Sequence, residues 1–219
     1  MDKWSFPTSI TVGGKEYPIR TEFNAVLDLF VALNDPECKG DTEEETNYIH
    51  AMMILEIMIP NYDEIPREHV QEAINKVCEF IDYGVKQSGN HPKTMDWEQD
   101  AVVIIPEINK ILGYEVRNPD IKTHWWTFLG AYMGIGEGLF SNIVRIRQKK
   151  AKGKKLEKYE QEFYKENKTL IDFETKNHLG VYRTHKDGTE RFVLLAKKYI
   201  TSISVVYQQD VSTDTPNVS

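Results

Sequence analysis

One stretch, from Thr123 to Lys155 (THWWTFLGAYMGIGEGLFSNIVRIRQKKAKGKK), restricts what this chain can become. Trp125, Phe128, Leu129 and Tyr132 recur at helical spacing, and Leu139, Phe140, Ile143 and Ile146 resume the period after a glycine cluster. Gly134, Gly136 and Gly138 would each cost about 1 kcal/mol inside a helix, so the chain is expected to turn there. Ser141 or Asn142 can cap the next helix. The expected unit is a buried helical hairpin leading into a solvated basic helix. That helix runs on through Leu156, Tyr159, Phe163 and Leu170 or breaks at Gly153. Neighbouring Trp125 and Trp126 cannot both lie on one stripe, and Trp126 is the one expected to be partly exposed.

The rest of the chain reads as mainly α. Ser9–Val12 and Glu16–Ile19 flank Gly13-Gly14-Lys15 and predict a short N-terminal β-hairpin, with Pro18 on an edge strand. A first helix follows with Thr21 as N-cap, Phe23, Val26, Leu27, Phe30 and Leu33 as its stripe, and Asn34-Asp35-Pro36 as its end. Thr42-x-x-Glu45 is a capping box for a second helix that Pro60 stops. A third begins near Pro66 and packs through Val70, Ala73, Ile74, Val77 and Ile81. Residues 87–94, rich in Gly, Asn, His and Pro, are the hinge candidate. Asp96-x-x-Gln99 should cap a fourth helix, which Pro106 is expected to kink or break and Gly113 to end. About six helices result. Beyond them, Lys186-Asp187-Gly188 between apolar runs predicts a small β-rich C-terminal extension. The expected domains are residues 1–177, 178–209 and a disordered tail, 210–219.

Composition narrows function by exclusion. No apolar run approaches the ~18–20 residues of a membrane span. Met1 to Pro18 shows no signal-peptide pattern. Cys38 and Cys78 sit in different elements without ligand spacing, as expected of reduced, passive thiols. The six histidines are scattered, no serine is framed as a nucleophile, and the Gly134–Gly138 run lacks the strand and spacing of a phosphate loop. The expectation is a protein that is not an enzyme and has neither cofactor nor metal.

Charge is polarised. Residues 1–110 carry 21 acids against 9 bases, and residues 111–219 carry 13 against 18. Residues 145–158 hold eight Lys or Arg and one acid, Glu157. Such a segment reads as a solvated helix surface, as a contact for an acidic protein face (the acidic half of another copy included), or as a nucleic-acid contact. The last is disfavoured because no aromatic is interleaved in the run. The aromatic hairpin reads as core or as a groove for an apolar helix.

At these residues the chain resembles the tail-assembly chaperones of long-tailed, siphovirus-type bacteriophages, encoded next to the tape-measure protein. The resemblance rests on Asp96-Trp97 at a helix start, Leu112-Gly113-Tyr114 at a helix end, His124-Trp125-Trp126-Thr127-Phe128-Leu129, and Ile143-Val144-Arg145-Ile146-Arg147-Gln148-Lys149-Lys150. It spans roughly residues 10–172. The glycine turn is richer than the family pattern, and residues 178–219 lie outside it. The resemblance implies a protein of the host cytoplasm that binds the tape-measure protein, helps tail-tube subunits polymerise around it, and is absent from the mature virion. It also implies that residues 178–219 are a frameshift-type extension contacting tube subunits. Partner contact is expected at Trp126, Arg145, Arg147, Lys149, Lys150, Lys154 and Lys155. On that expectation, reversing Arg145, Arg147, Lys149 and Lys150 weakens partner capture without loss of helix. Two other readings stay open: a structural tail component retained in the virion, and a nucleic-acid-binding regulator using residues 145–158.

Overall fold

In the computed structural model, residues 5–83 and 92–174 are described. They form a two-stranded hairpin and eight α-helices. Strands β1 (Ser9–Val12) and β2 (Lys15–Pro18) pair antiparallel, with Val12 opposite Lys15 and Ser9 opposite Pro18. Gly13 and Gly14 alone make the turn, at φ 55° and 80°. Two consecutive positive φ values are what a two-residue hairpin needs to match strand twist, so Lys15 belongs to β2 rather than to the turn. A side chain at Gly13 would also collide with the His69 ring, its Cβ lying 2.6 Å from Nε2. Ile10, Val12 and Tyr17 point into the core, and β1 lies against α3.

Helix α1 (Phe23–Asn34) packs on α2 (Glu43–Met58) and α5 (Trp125–Met133). Its N-cap is Glu22, not Thr21. The Thr21 carbonyl instead accepts the Trp125 amide at 2.6 Å, and the Phe23 amide bonds the Thr123 carbonyl at 3.0 Å. This bridge fastens the start of α1 to the start of α5. The capping box of α2 forms as expected: Thr42 Oγ1 accepts the Glu45 amide at 3.1 Å, and the Glu45 carboxylate accepts the Thr42 amide at 3.2 Å. Two short 3-10 turns, Tyr62–Glu64 and Arg67–His69, lead into α3 (Val70–Ile81).

Helix α4 (Ala101–Leu112) runs through Pro106 without interruption, so the expected break does not occur. Pro106 and Val102, one turn earlier, are both exposed, and water can take the hydrogen bond that the Val102 carbonyl loses. Gly113 closes the helix in the left-handed region at φ 77°. Asp96 caps a turn before the helix, accepting the Glu98 and Gln99 amides at 3.0 Å. After α5, residues 134–138 turn the chain into α6 (Leu139–Ala151). The Ser141 hydroxyl accepts the Gly138 amide at 2.8 Å and donates to its carbonyl at 3.0 Å.

Helix α6 does not continue through the basic run. Gly153, at φ 63°, ends it in a Schellman closure: its amide reaches the Lys150 carbonyl, and the Lys154 amide reaches that of Lys149. Helices α7 (Lys158–Glu166) and α8 (Lys168–Ile171) then fold back, and α8 packs on α6. Eight helices therefore replace the six expected, because the basic helix breaks and its remainder splits at Asn167. The β extension at 178–209, the tail at 210–219 and most of the hinge at 87–94 lie outside the described residues. Cys38 and Cys78 are free thiols, and burial raises the pKa of Cys78. Among the described residues no helix is long and apolar enough to cross a membrane.

Candidate interaction surface

Trp125 and Trp126 occupy the first turn of α5, and both are buried. Their sides of the helix meet different neighbours. Trp125 stacks on Phe128 and presents its edge to Phe30 and Trp97, while Trp126 lies along Phe80 with Tyr83 edge-on. Each indole N–H donates to a carbonyl in the last turn of α3: Trp125 to Ile81 at 2.8 Å, Trp126 to Phe80 at 2.9 Å. A helix leaves its last carbonyls short of partners; Trp125 supplies a donor to Ile81, and Trp126 adds a second to Phe80, whose carbonyl also accepts the Tyr83 amide at 3.2 Å. Trp126 is 4% exposed and so is no surface contact, contrary to the sequence expectation. A single stripe cannot hold adjacent residues, but α5 is enclosed on more than one side.

His124 caps α5 with its ring. Nδ1 accepts the Trp126 amide at 3.0 Å, and Nε2 donates to the Pro7 carbonyl at 3.1 Å, which fixes the neutral tautomer. Burial is the largest influence on its pKa and lowers it. Phe6 stacks on the imidazole with ring centroids 4.6 Å apart.

Arg147 departs furthest from its expected role. It lies four residues after Ile143 and beside Ile146, on the buried stripe of α6, and is 4% exposed. Its guanidinium grips Asp100 with two bonds, Nη1 to Oδ2 at 2.6 Å and Nη2 to Oδ1 at 2.9 Å. It also donates to the carbonyls of Thr94 (3.2 Å), Leu170 (2.7 Å) and Ile171 (2.7 Å). Five bonds match the five N–H groups of arginine. Phe173 covers one face of the guanidinium, its ring centre 4.2 Å from Cζ. Arg147 thus ties the segment before α4, the start of α4 and the end of α8 together, and it is not available to a partner.

The next charges along α6 are also engaged. Lys149 bonds the Glu160 carboxylate at 2.7 Å, and Arg145 lies 3.6 Å from its other oxygen while bonding Asn142 at 2.6 Å. Glu160 is buried, and the bond from Lys149 holds its pKa below the usual carboxylate range. Lys150 pairs with Asp172 and reaches the Tyr164 hydroxyl. Acids from three places therefore occupy the four basic residues of α6: Asp100 before α4 takes Arg147, Glu160 of α7 takes Arg145 and Lys149, and Asp172 takes Lys150. Among the expected contact residues, only Lys154 and Lys155 are exposed without a side-chain partner among the described residues, joined there by Lys152 and Lys158.

A second exposed feature lies at the other end of α6. Around the glycine turn, Met133 is 61%, Ile111 46% and Leu139 40% exposed. A Cβ on Gly134 would lie 3.7 Å from Ile111 Cδ1, so the end of α4 joins this patch. Gly136 and Gly138 leave open space where a side chain would stand. At about 1.5 Å per residue, α6 separates this apolar tip from the lysine loop by roughly 20 Å. The tip was legible in the sequence only as a turn. Met133 and Leu139 follow the helical period but fall outside the buried arc.

Among the described residues, no group of three or more His, Cys, Asp or Glu could hold a metal ion. The family model described as "Bacteriophage Gp15 protein" matches residues 4–173. No curated protein and no solved structure matches the chain.

Proposed function

The chain belongs to the bacteriophage Gp15 protein family, and from that premise we propose that it is a tail-assembly chaperone. In this reading it binds the tape-measure protein, promotes tail-tube assembly, acts in the host cytoplasm, and is left out of the mature virion. The observation that carries the reading is the exposed apolar tip formed by Ile111, Met133 and Leu139 beside Gly136 and Gly138. A tape-measure chain exposes apolar helical stripes until the tube encloses it, and an apolar surface lined by bare backbone admits a helix closely. The tip is held on a rigid base, because His124, Trp125 and Trp126 lock α5 to α1 and α3. The free lysines of residues 152–158 add a charged contact at the far end of α6. Binding by Trp126 or Arg147 forms no part of this proposal, since both are built into the core.

The tip is tested by the paired substitution M133D/L139D. Both side chains are largely outside the core, so helical content and melting should stay as in the wild type. Capture of a co-expressed tape-measure protein should fall at least tenfold. Undiminished capture by this folded variant would remove the tip from the proposal.

A further inference from the structure

Four cations within seven positions, Lys152, Lys154, Lys155 and Lys158, are exposed and have no ion pair among the described residues. Neighbouring Arg145, Arg147, Lys149 and Lys150 all have internal partners, so these four are the unneutralised remainder of the run. Glu157 is the one acid in these seven positions, so the segment keeps a net positive charge of three. Beside the loop, Tyr159 is 58% exposed. A complementary patch opens α2. Asp41, Glu43 and Glu44 are exposed and without ion pairs, and Tyr48, one turn on, is also exposed. Glu45 is occupied in the capping box, and exposed Lys39 is the nearby cation of opposite sign. Among the described residues no ion pair joins the two patches within one chain.

We propose that the lysine loop of one chain docks on the acidic start of α2 in a second copy. The two patches differ, so the contact is heterologous: each docked chain still offers one free loop and one free acidic patch. Such a contact closes into a ring or extends as a filament. Charge favours this partner over nucleic acid. The chain carries a net charge of −7, and one tyrosine already turned toward Arg145 is a poor stacking platform for bases. The proposal does not rest on the chaperone reading.

Sedimentation velocity of the purified full-length protein at about 0.05 M and about 0.5 M NaCl tests it, since screening shortens the range of exposed charges. Self-association is expected at low salt and should weaken at high salt. Reversal of one face, K152E/K154E/K155E or D41K/E43K/E44K, should weaken it by roughly tenfold or more, as three exposed ion pairs allow. Mixing the two reversed proteins should restore it. Lysines at the start of α2 oppose the helix dipole, so D41N/E43Q/E44Q serves as a milder second variant, with circular dichroism confirming its fold. A wild type that stays monomeric at low salt would overturn the proposal. So would association indifferent to loop reversal, a mixture that does not recover, or a loop whose reversal removes only co-purifying nucleic acid.

Discussion

Replacing Arg147 with methionine keeps much of the side-chain volume and removes five hydrogen bonds at once. Asp100, 2% exposed, would keep its charge and its bond from the Asp96 amide but lose both bonds from the guanidinium. The carbonyls of Leu170 and Ile171 would lose their partners at the end of α8. Breaking a buried pair from one side costs about 3–5 kcal/mol, because the remaining charge is stranded away from water. For a domain of this size that corresponds to a fall in Tm of roughly 6–20 °C. Urea unfolding followed by tryptophan fluorescence and circular dichroism would measure it. The double variant R147M/D100L removes both charges and should recover part of the loss, as replacing both partners by apolar groups often does. Arg147→Lys should not rescue, since an ammonium cannot reach five acceptors in a planar fork. If R147M costs less than about 1 kcal/mol, or the double variant is no better than R147M, the guanidinium is not the tie described.

Three further outcomes follow from the same packing. Trp126→Phe keeps a ring but loses the N–H donated to the Phe80 carbonyl, and should cost about 1–3 kcal/mol in urea unfolding, against under about 0.5 for the exposed Tyr159→Phe. His124 and His50 both have pKa values lowered chiefly by burial, so the unfolded chain binds more protons than the native one in mildly acid solution. Their contribution is full above about pH 6.5 and is lost as pH falls toward the lowered native values, by up to about 1.4 kcal/mol per pH unit per group. H124N retains a capping acceptor and should flatten this slope, whereas stability that rises on acidification would contradict the sign. Pro106→Ala restores a donor to the Val102 carbonyl on an exposed face and should raise stability by about 1–3 kcal/mol. A neutral or lower value would show that α4 is better without that bond.

Local grammar was legible in the sequence. The box at Thr42 and Glu45, the closures at Gly113 and Gly153, and the turn at 134–138 each depend on residues a few positions apart, and each appears where the pattern placed it or among the alternatives it left open. What failed was the reading of long-range partners. Arg147 meets Asp100 at a separation of 47 residues, and Trp126 meets Phe80 at 46. A basic run looks solvated until the acids that neutralise it are known, and those acids came from both sides of it: Asp100 upstream, Glu160 and Asp172 downstream. A signal existed all the same. Arg147 falls on the Ile143–Ile146 stripe, and a charge on an apolar stripe points to a buried partner. Thr21 shows a second kind of failure: a good capping residue was displaced because its carbonyl was needed by Trp125. The exposed candidate surface, Met133 and Leu139 with Lys152, Lys154 and Lys155, is what remains once these internal partners are assigned.

On the proposed function, this phage protein should keep the tape-measure protein soluble during tail assembly. Co-expression of the full chain with the tape-measure protein, followed by fractionation and affinity capture, tests it most directly. The tape-measure protein should be insoluble alone, become soluble with this chain, and co-purify with it. A tape-measure protein that is soluble by itself and does not bind this chain would rule out the chaperone role.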